Sequence, residues 1–247
     1  MKRAHLALAF ALGCAVSAAQ AADAQQPTVN LYIWGEYLAP DTLSNFEKQT
    51  GIHVVADHFD SLETAETKLL TGGSGYDVVL SAGQHLSRAI ASGALQPLDK
   101  SKLPHLAGIG EEFRQHMAVF DPGNRYAGTY AWGTTGVGFN LDYRIPKEGT
   151  LIWLDALVVP KDAPHPDAAW KLMDYLMRPE VIAPITGTIH YANAITAADS
   201  LVDPQIRQSP GTYPPAEVGA RLYSKNDNGK QFNRELTRAF SRLKSGT

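Results

Sequence analysis

The chain has one cysteine, Cys14, and it lies in a stretch that is not expected to survive export. Lys2 and Arg3 form a basic start, Leu6 to Ala18 is a short apolar run, and Ala19-Gln20-Ala21 is a small-x-small cleavage site; together they describe a secretory signal peptide over residues 1–21. Acylation at Cys14, preceded by Gly13, is the alternative, but Ala11 and the short apolar run before the cysteine argue against it. Without cysteine the mature fold owes nothing to disulfides, and thiolate metal sites are excluded. No later stretch reaches the roughly 18 apolar residues of a membrane span, so no direct membrane insertion is expected. Removing Lys2 and Arg3 leaves 20 basic residues against 25 acidic, a formal charge of −5, with no basic patch or arginine stripe for nucleic acid.

Catalytic constellations are also missing. There is no Gly-x-Ser-x-Gly elbow, no phosphate-loop lysine and no dinucleotide fingerprint. His85, His105, His116, His165 and His190 are scattered without metal-ligand spacing. His53 and His58, five apart in a predicted strand, point to opposite faces. The expectation is a protein that is not an enzyme and carries no cofactor.

What is present is an alternation of strands and helices. Strands are predicted at Thr28 to Trp34, Ile52 to Phe59 and Asp77 to Leu80. Helices follow each, with Gly51 as a left-handed stop for the first, Ser61 as a cap for the second and Gly93 closing the third. This pattern implies right-handed crossovers and a mostly parallel sheet with helices on both faces. Ligands in such sheets sit outside the carboxyl ends of the strands, where the strand order reverses.

Two turns lie at such ends. One carries Trp34, Glu36 and Tyr37, two rings beside a carboxylate, which suits an organic cation and is equally consistent with core packing. The other is Ser81-Ala82-Gly83, offering a hydroxyl and a close backbone approach. Tyr126 to Asp142 holds four rings and four glycines, with Tyr130 and Trp132 able to face a cleft. Asp155 interrupts the apolar run Leu151 to Val159, where an acid must be paired, hydrogen-bonded or turned toward a ligand. Pro166 to Met177 reads as an amphipathic helix, Pro179 opens another, and Lys230 to Lys244 is a final polar helix.

Several motifs together carry a resemblance. They are Trp34-Gly35-Glu36-Tyr37, Asn45-Phe46-Glu47-Lys48-Gln49-Thr50-Gly51, residues 96–104, Trp132-Gly133-Thr134-Thr135-Gly136-Val137-Gly138-Phe139-Asn140, Ile145-Pro146-Lys147-Glu148-Gly149 and Tyr191-Ala192-Asn193-Ala194. Spread over nearly the whole mature chain, they resemble the periplasmic polyamine-binding proteins, the putrescine and spermidine receptors of ABC importers. The resemblance implies a type II periplasmic-binding-protein clamshell, a polyamine held across the cleft, and a membrane permease as partner. Carried over by position, it implies substrate contacts at Trp34, Glu36, Tyr37, Ser81, Trp132, Asp155 and Tyr191. Gly35 and Glu36 stand where the family commonly has a serine and an aspartate, and Gly83 where it often supplies a hydroxyl.

The chain departs from the family after Asn140. Roughly a hundred residues or more, a small domain's length, normally separate the Gly-x-Gly-x-Asn motif from Ile-Pro-Lys-Glu-Gly, and here only Leu141 to Arg144 intervene. The resemblance implies that the missing segment holds most of the second lobe, with a glutamate and a tryptophan-and-aspartate pair of the opposite wall. The expected organisation is a signal peptide (1–21), one α/β lobe including the return strand around Asp155 (22–178), and a tail (179–247) left over from second-lobe packing. The expected function is polyamine binding with one wall absent; the alternative is a non-transporting remnant or interaction protein using the exposed lobe surface.

Overall fold

A computed structural model describes residues 26–139, 142–225 and 229–245. The expected signal peptide and residues 140–141 lie outside the described residues. The first strand, β1 (Thr28–Trp34), leads through α1 (Thr42–Thr50) to β2 (His53–Phe59), then α2 (Leu62–Thr71), β3 (Val78–Ala82) and α3 (Gly83–Ala91). The punctuation is as the residues dictate: Gly51 ends α1 at φ 69°, and the Ser61 hydroxyl accepts from the Thr64 N–H at the start of α2. Replacing Ser61 by alanine should therefore cost about 1 kcal/mol, read as a lower urea midpoint at unchanged slope.

Next come α4 (Glu111–Met117), β4 (Ala127–Thr134), β5 (Val137–Phe139), β6 (Asp142–Arg144) and the long β7 (Thr150–Val158). The chain continues through α5 (Pro166–Leu176), α6 (Pro179–Ile189), β8 (Ala192–Asn193), α7 (Pro204–Arg207), α8 (Ala216–Gly219), β9 (Leu222–Tyr223) and α9 (Lys230–Ser245). The main sheet runs β2-β1-β3-β7-β4-β8, with β9 paired to the start of β7.

β1, β2 and β3 are mutually parallel, whereas β7 enters antiparallel between β3 and β4. The sheet is therefore mixed: the first three strands and β4 share one direction, and the return strand opposes them. Because β1 lies between β2 and β3, the crossover from β1 to β2 and the crossover from β2 to β3 run across the sheet in opposite directions. Right-handed crossovers then put α1 and α2 on opposite faces. α1 meets α5 through Phe46 and Tyr175, whose rings are 5.3 Å apart.

Asp77, fully buried at the foot of β3, ties the two sides together. Its carboxylate accepts from the Asn30 N–H on β1 and from both the backbone N–H and Nδ1 of His165, which precedes α5.

Where the family's second lobe would begin, β5 and β6 instead pair antiparallel, with Val137 in register with Arg144 and Phe139 with Asp142. α6 and the segment after it still contribute Ile182, Ile185, Ala194 and Ile195 to the core. Further along the exposure rises, and α9 stands with Phe232, Leu236, Phe240 and Leu243 all exposed. No described helix is long and apolar enough to cross a membrane.

Candidate binding site

A cleft of about 850 Å³ opens at the carboxyl ends of β1 and β3, the point where the strand order reverses. Trp34, Glu36, Tyr37, Asp155 and Tyr191 all line it, so five of the seven residues singled out from the sequence converge from three separate parts of the chain. Their convergence follows from the sheet. Trp34 ends β1, and the chain turns through Gly35 and Glu36. Glu36 adopts φ 60°, a left-handed conformation uncommon for a residue with a side chain. That turn leaves the Glu36 carboxylate exposed at the rim and folds Tyr37 inward.

Tyr37 is the centre of the site. Its hydroxyl donates to Asp155 Oδ2 at 2.6 Å, and its own carbonyl accepts from the buried Tyr130 hydroxyl at 2.9 Å. Tyr130 thus fixes the turn from behind. Asp155 is 6% exposed, and burial pushes its pKa up to about 7, with the Tyr37 hydrogen bond acting the other way. Burial, then the Asp155 charge, raises the Tyr37 phenol well above its ordinary range, which keeps it a proton donor. The site therefore holds a dry carboxyl group with one neutral donor and no cation paired to it in any ion pair among the described residues. Its charged form becomes favourable when a cation arrives beside it.

Trp153 is a further wall residue, absent from the sequence-based expectations. It lies two residues before Asp155 on β7, hence on the same face, and its ring meets Tyr191 edge-on at 4.8 Å. That spacing is the signal that could have found it. The ring lies across the backbone of Gly133, which is opposite Trp153 in the β4–β7 register.

Ser81 and Trp132 are placed elsewhere. Ala82, not Ser81, is in register with Asp155, and Ser81 pairs with Ala156; side chains alternate, so the Ser81 hydroxyl points to the opposite face and is buried there. Likewise Ala131 faces Asp155 while Trp132 faces Leu154. Trp132 accordingly packs against Phe113 at 5.0 Å and donates its indole N–H to the Asn193 carbonyl, away from the cleft. Placing both in the cleft requires a face that only the strand pairing decides. Gly83 does begin a helix at φ 48°, and Gly35 has open space where a side chain would stand. Among the described residues no group of three or more histidine, cysteine or acidic side chains is arranged to hold a metal.

The profile of the bacterial extracellular solute-binding protein family matches residues 119–214, across the junction where the second lobe is missing. The chain is 30% identical to the putrescine-binding periplasmic protein PotF of Escherichia coli over 343 aligned positions, covering 90% of this chain and 93% of that one. It is 29% identical to the putrescine-binding periplasmic protein SpuD of Pseudomonas aeruginosa, covering 98% and 97%. The PotF alignment is longer than this chain's 247 residues by about a hundred positions, a small domain's worth that has no counterpart in this sequence. Among solved structures, the spermidine/putrescine ABC transporter substrate-binding protein PotD of Streptococcus pneumoniae, in complex with calcium and HEPES, superposes with a TM-score of 0.81 at 20% identity, covering 89% of this chain and 99% of that one. A spermidine/putrescine transporter protein of Listeria monocytogenes gives 0.76 at 22%. These two share the fold. This chain belongs to the bacterial extracellular solute-binding proteins, in the branch of the periplasmic putrescine- and spermidine-binding proteins of ABC transporters, as an internally shortened member.

Proposed function

We propose that this chain is a periplasmic polyamine receptor by descent, whose remaining lobe keeps half of the ligand clamp and binds polyamines weakly. The observation that carries this is the Tyr37–Asp155 pair at the floor of an aromatic cleft rimmed by Glu36. One ammonium of a diamine meets Asp155 at the floor, the methylenes lie against Trp34, Trp153 and Tyr191, and Glu36 receives charge at the mouth. Residues 22–178 are then the lobe, 179–247 is the remnant of second-lobe packing, the permease is the membrane partner, no chemical step is catalysed and no cofactor is used.

With the opposing wall gone, the outer end of the ligand stays in water, where its exposed ion pair with Glu36 contributes only about 0–1 kcal/mol. The closed state that a transporter would recognise is lost as well. Trp34 and Trp153 supply a direct test by intrinsic fluorescence. Putrescine or spermidine should change the emission with a half-saturation on the order of millimolar, about −4 kcal/mol, and Trp153→Phe should remove most of the change. Butylamine, with one charge, should bind more weakly than putrescine. An equal response to the monoamine and the diamine would contradict the two-ended site.

A further inference from the structure

α9 is the one long helix of the described chain that buries almost nothing. Every residue from 231 to 245 is exposed except Asn233. Its apolar residues are nevertheless strictly ordered. At 100° per residue, Phe232, Leu236, Ala239, Phe240 and Leu243 fall within a single stripe about 100° wide. Leu243 is 77% exposed and Phe240 56%. Arg234 and Arg238 lie on the opposite face with Arg242 beside them, and Lys244 flanks the stripe with its ammonium 4.8 Å from the Phe240 ring centre.

The helix sequence contains five basic residues and one acid, a charge of +4, while the whole chain sums to −3. Everything outside α9 therefore sums to −7. A basic, amphipathic segment with phenylalanine and leucine on one side and arginine on the other is the composition of helices that lie in a membrane interface.

We infer that α9 docks by its C-terminal half in the plane of an anionic lipid surface, with Ala239, Phe240 and Leu243 entering the headgroup boundary and the arginines meeting lipid phosphates. It lies on the bilayer and does not span it, since its 16 residues are polar over most of their circumference. A second copy of the chain paired helix to helix is disfavoured by charge, because two helices of +4 would face each other, and by length, because the stripe spans only about two heptads. The N-terminal half of α9 stays near the body. Asn233 and Leu236 face Phe120 and Trp153 across a cavity of about 400 Å³ that shares Leu62, Ala82 and Trp153 with the binding cleft. A docked α9 thus brings the cleft to the bilayer surface.

The test is flotation of the full chain, without polyamine, with phosphatidylcholine vesicles and with vesicles of phosphatidylcholine and phosphatidylglycerol at three to one. Binding to the anionic vesicles should exceed binding to the neutral ones by at least about tenfold and fall steeply in 0.5 M salt, because interface charges are screened. The doubly substituted F240D/L243D chain and the charge-reversed R234E/R238E/R242E chain should each lose at least about tenfold of that binding. All five positions are exposed, so circular dichroism should confirm an unchanged lobe. Equal binding to both vesicle types, or none to either, overturns the inference. So does a stable dimer in light scattering with no vesicle binding, which would mean that a second copy covers the stripe.

Discussion

Asp155→Asn should make the protein more stable above pH 7 while weakening its hold on polyamines by at least about tenfold. The stability gain comes from the buried carboxyl. Its pKa is raised from 3.8 to about 7 in the folded state, so between those values the unfolded chain releases the proton while the folded chain retains it. Asp155 thus supports the fold fully at pH below about 4, and that support is lost as pH rises through 7. Asparagine keeps an oxygen to accept from Tyr37 and has no proton to lose. At about 1.4 kcal/mol per pH unit the difference between the two proteins should grow from near zero at pH 4 to about 2–4 kcal/mol at pH 8. Urea denaturation at the two pH values measures it, and a gain of the same size at both would rule out the buried carboxyl as the cause.

The loss of affinity has the opposite origin. The energy spent in keeping Asp155 dry is recovered when an ammonium sits beside it, and asparagine offers no charge to recover. For the same reason binding by the wild-type chain should weaken by up to about tenfold per pH unit below 7, as protonation of Asp155 competes with the ligand.

Gly133→Ala should disable the wall of the cleft without touching its charges. A Cβ at Gly133 would collide with Cζ2 of Trp153 and lie 2.7 Å from its Cε2, well inside contact distance. The indole covers the glycine on the neighbouring strand, so the ring must swing away and abandon its edge-on contact with Tyr191. Overpacking of this kind costs about 1–3 kcal/mol. The expected signature is a stability loss in that range together with loss of the fluorescence response to putrescine. Gly138→Ala is the control, since nothing lies within 4 Å of a side chain there, and it should change neither quantity.

Much of this arrangement is legible in the residues because local signals agree with one another. Gly51, Ser61 and Pro179 punctuate helices where caps and stops are expected, and Trp34 to Tyr37 falls at the end of the first apolar strand. Asp155 stands out as an acid in an apolar run. Strand pairing is not legible, because the direction in which β7 enters the sheet and the residue it faces are set by contacts distant in sequence. That is why Ser81 and Trp132, each one step out of register with Asp155, lie on the face opposite to the expected one. The residues alone present Tyr130 as a ring that could face a cleft, and its role behind the Tyr37 turn needs a fold to be seen. Trp153 is within reach of sequence reasoning, since it shares Asp155's parity along one strand.

Titration calorimetry of the full chain with putrescine and with spermidine at pH 8, where Asp155 is mostly ionised, tests the half-clamp most directly. A half-clamp should give measurable binding on the order of millimolar, abolished by Asp155→Asn. Low-micromolar binding would contradict it, because it would mean that one wall suffices for a complete site.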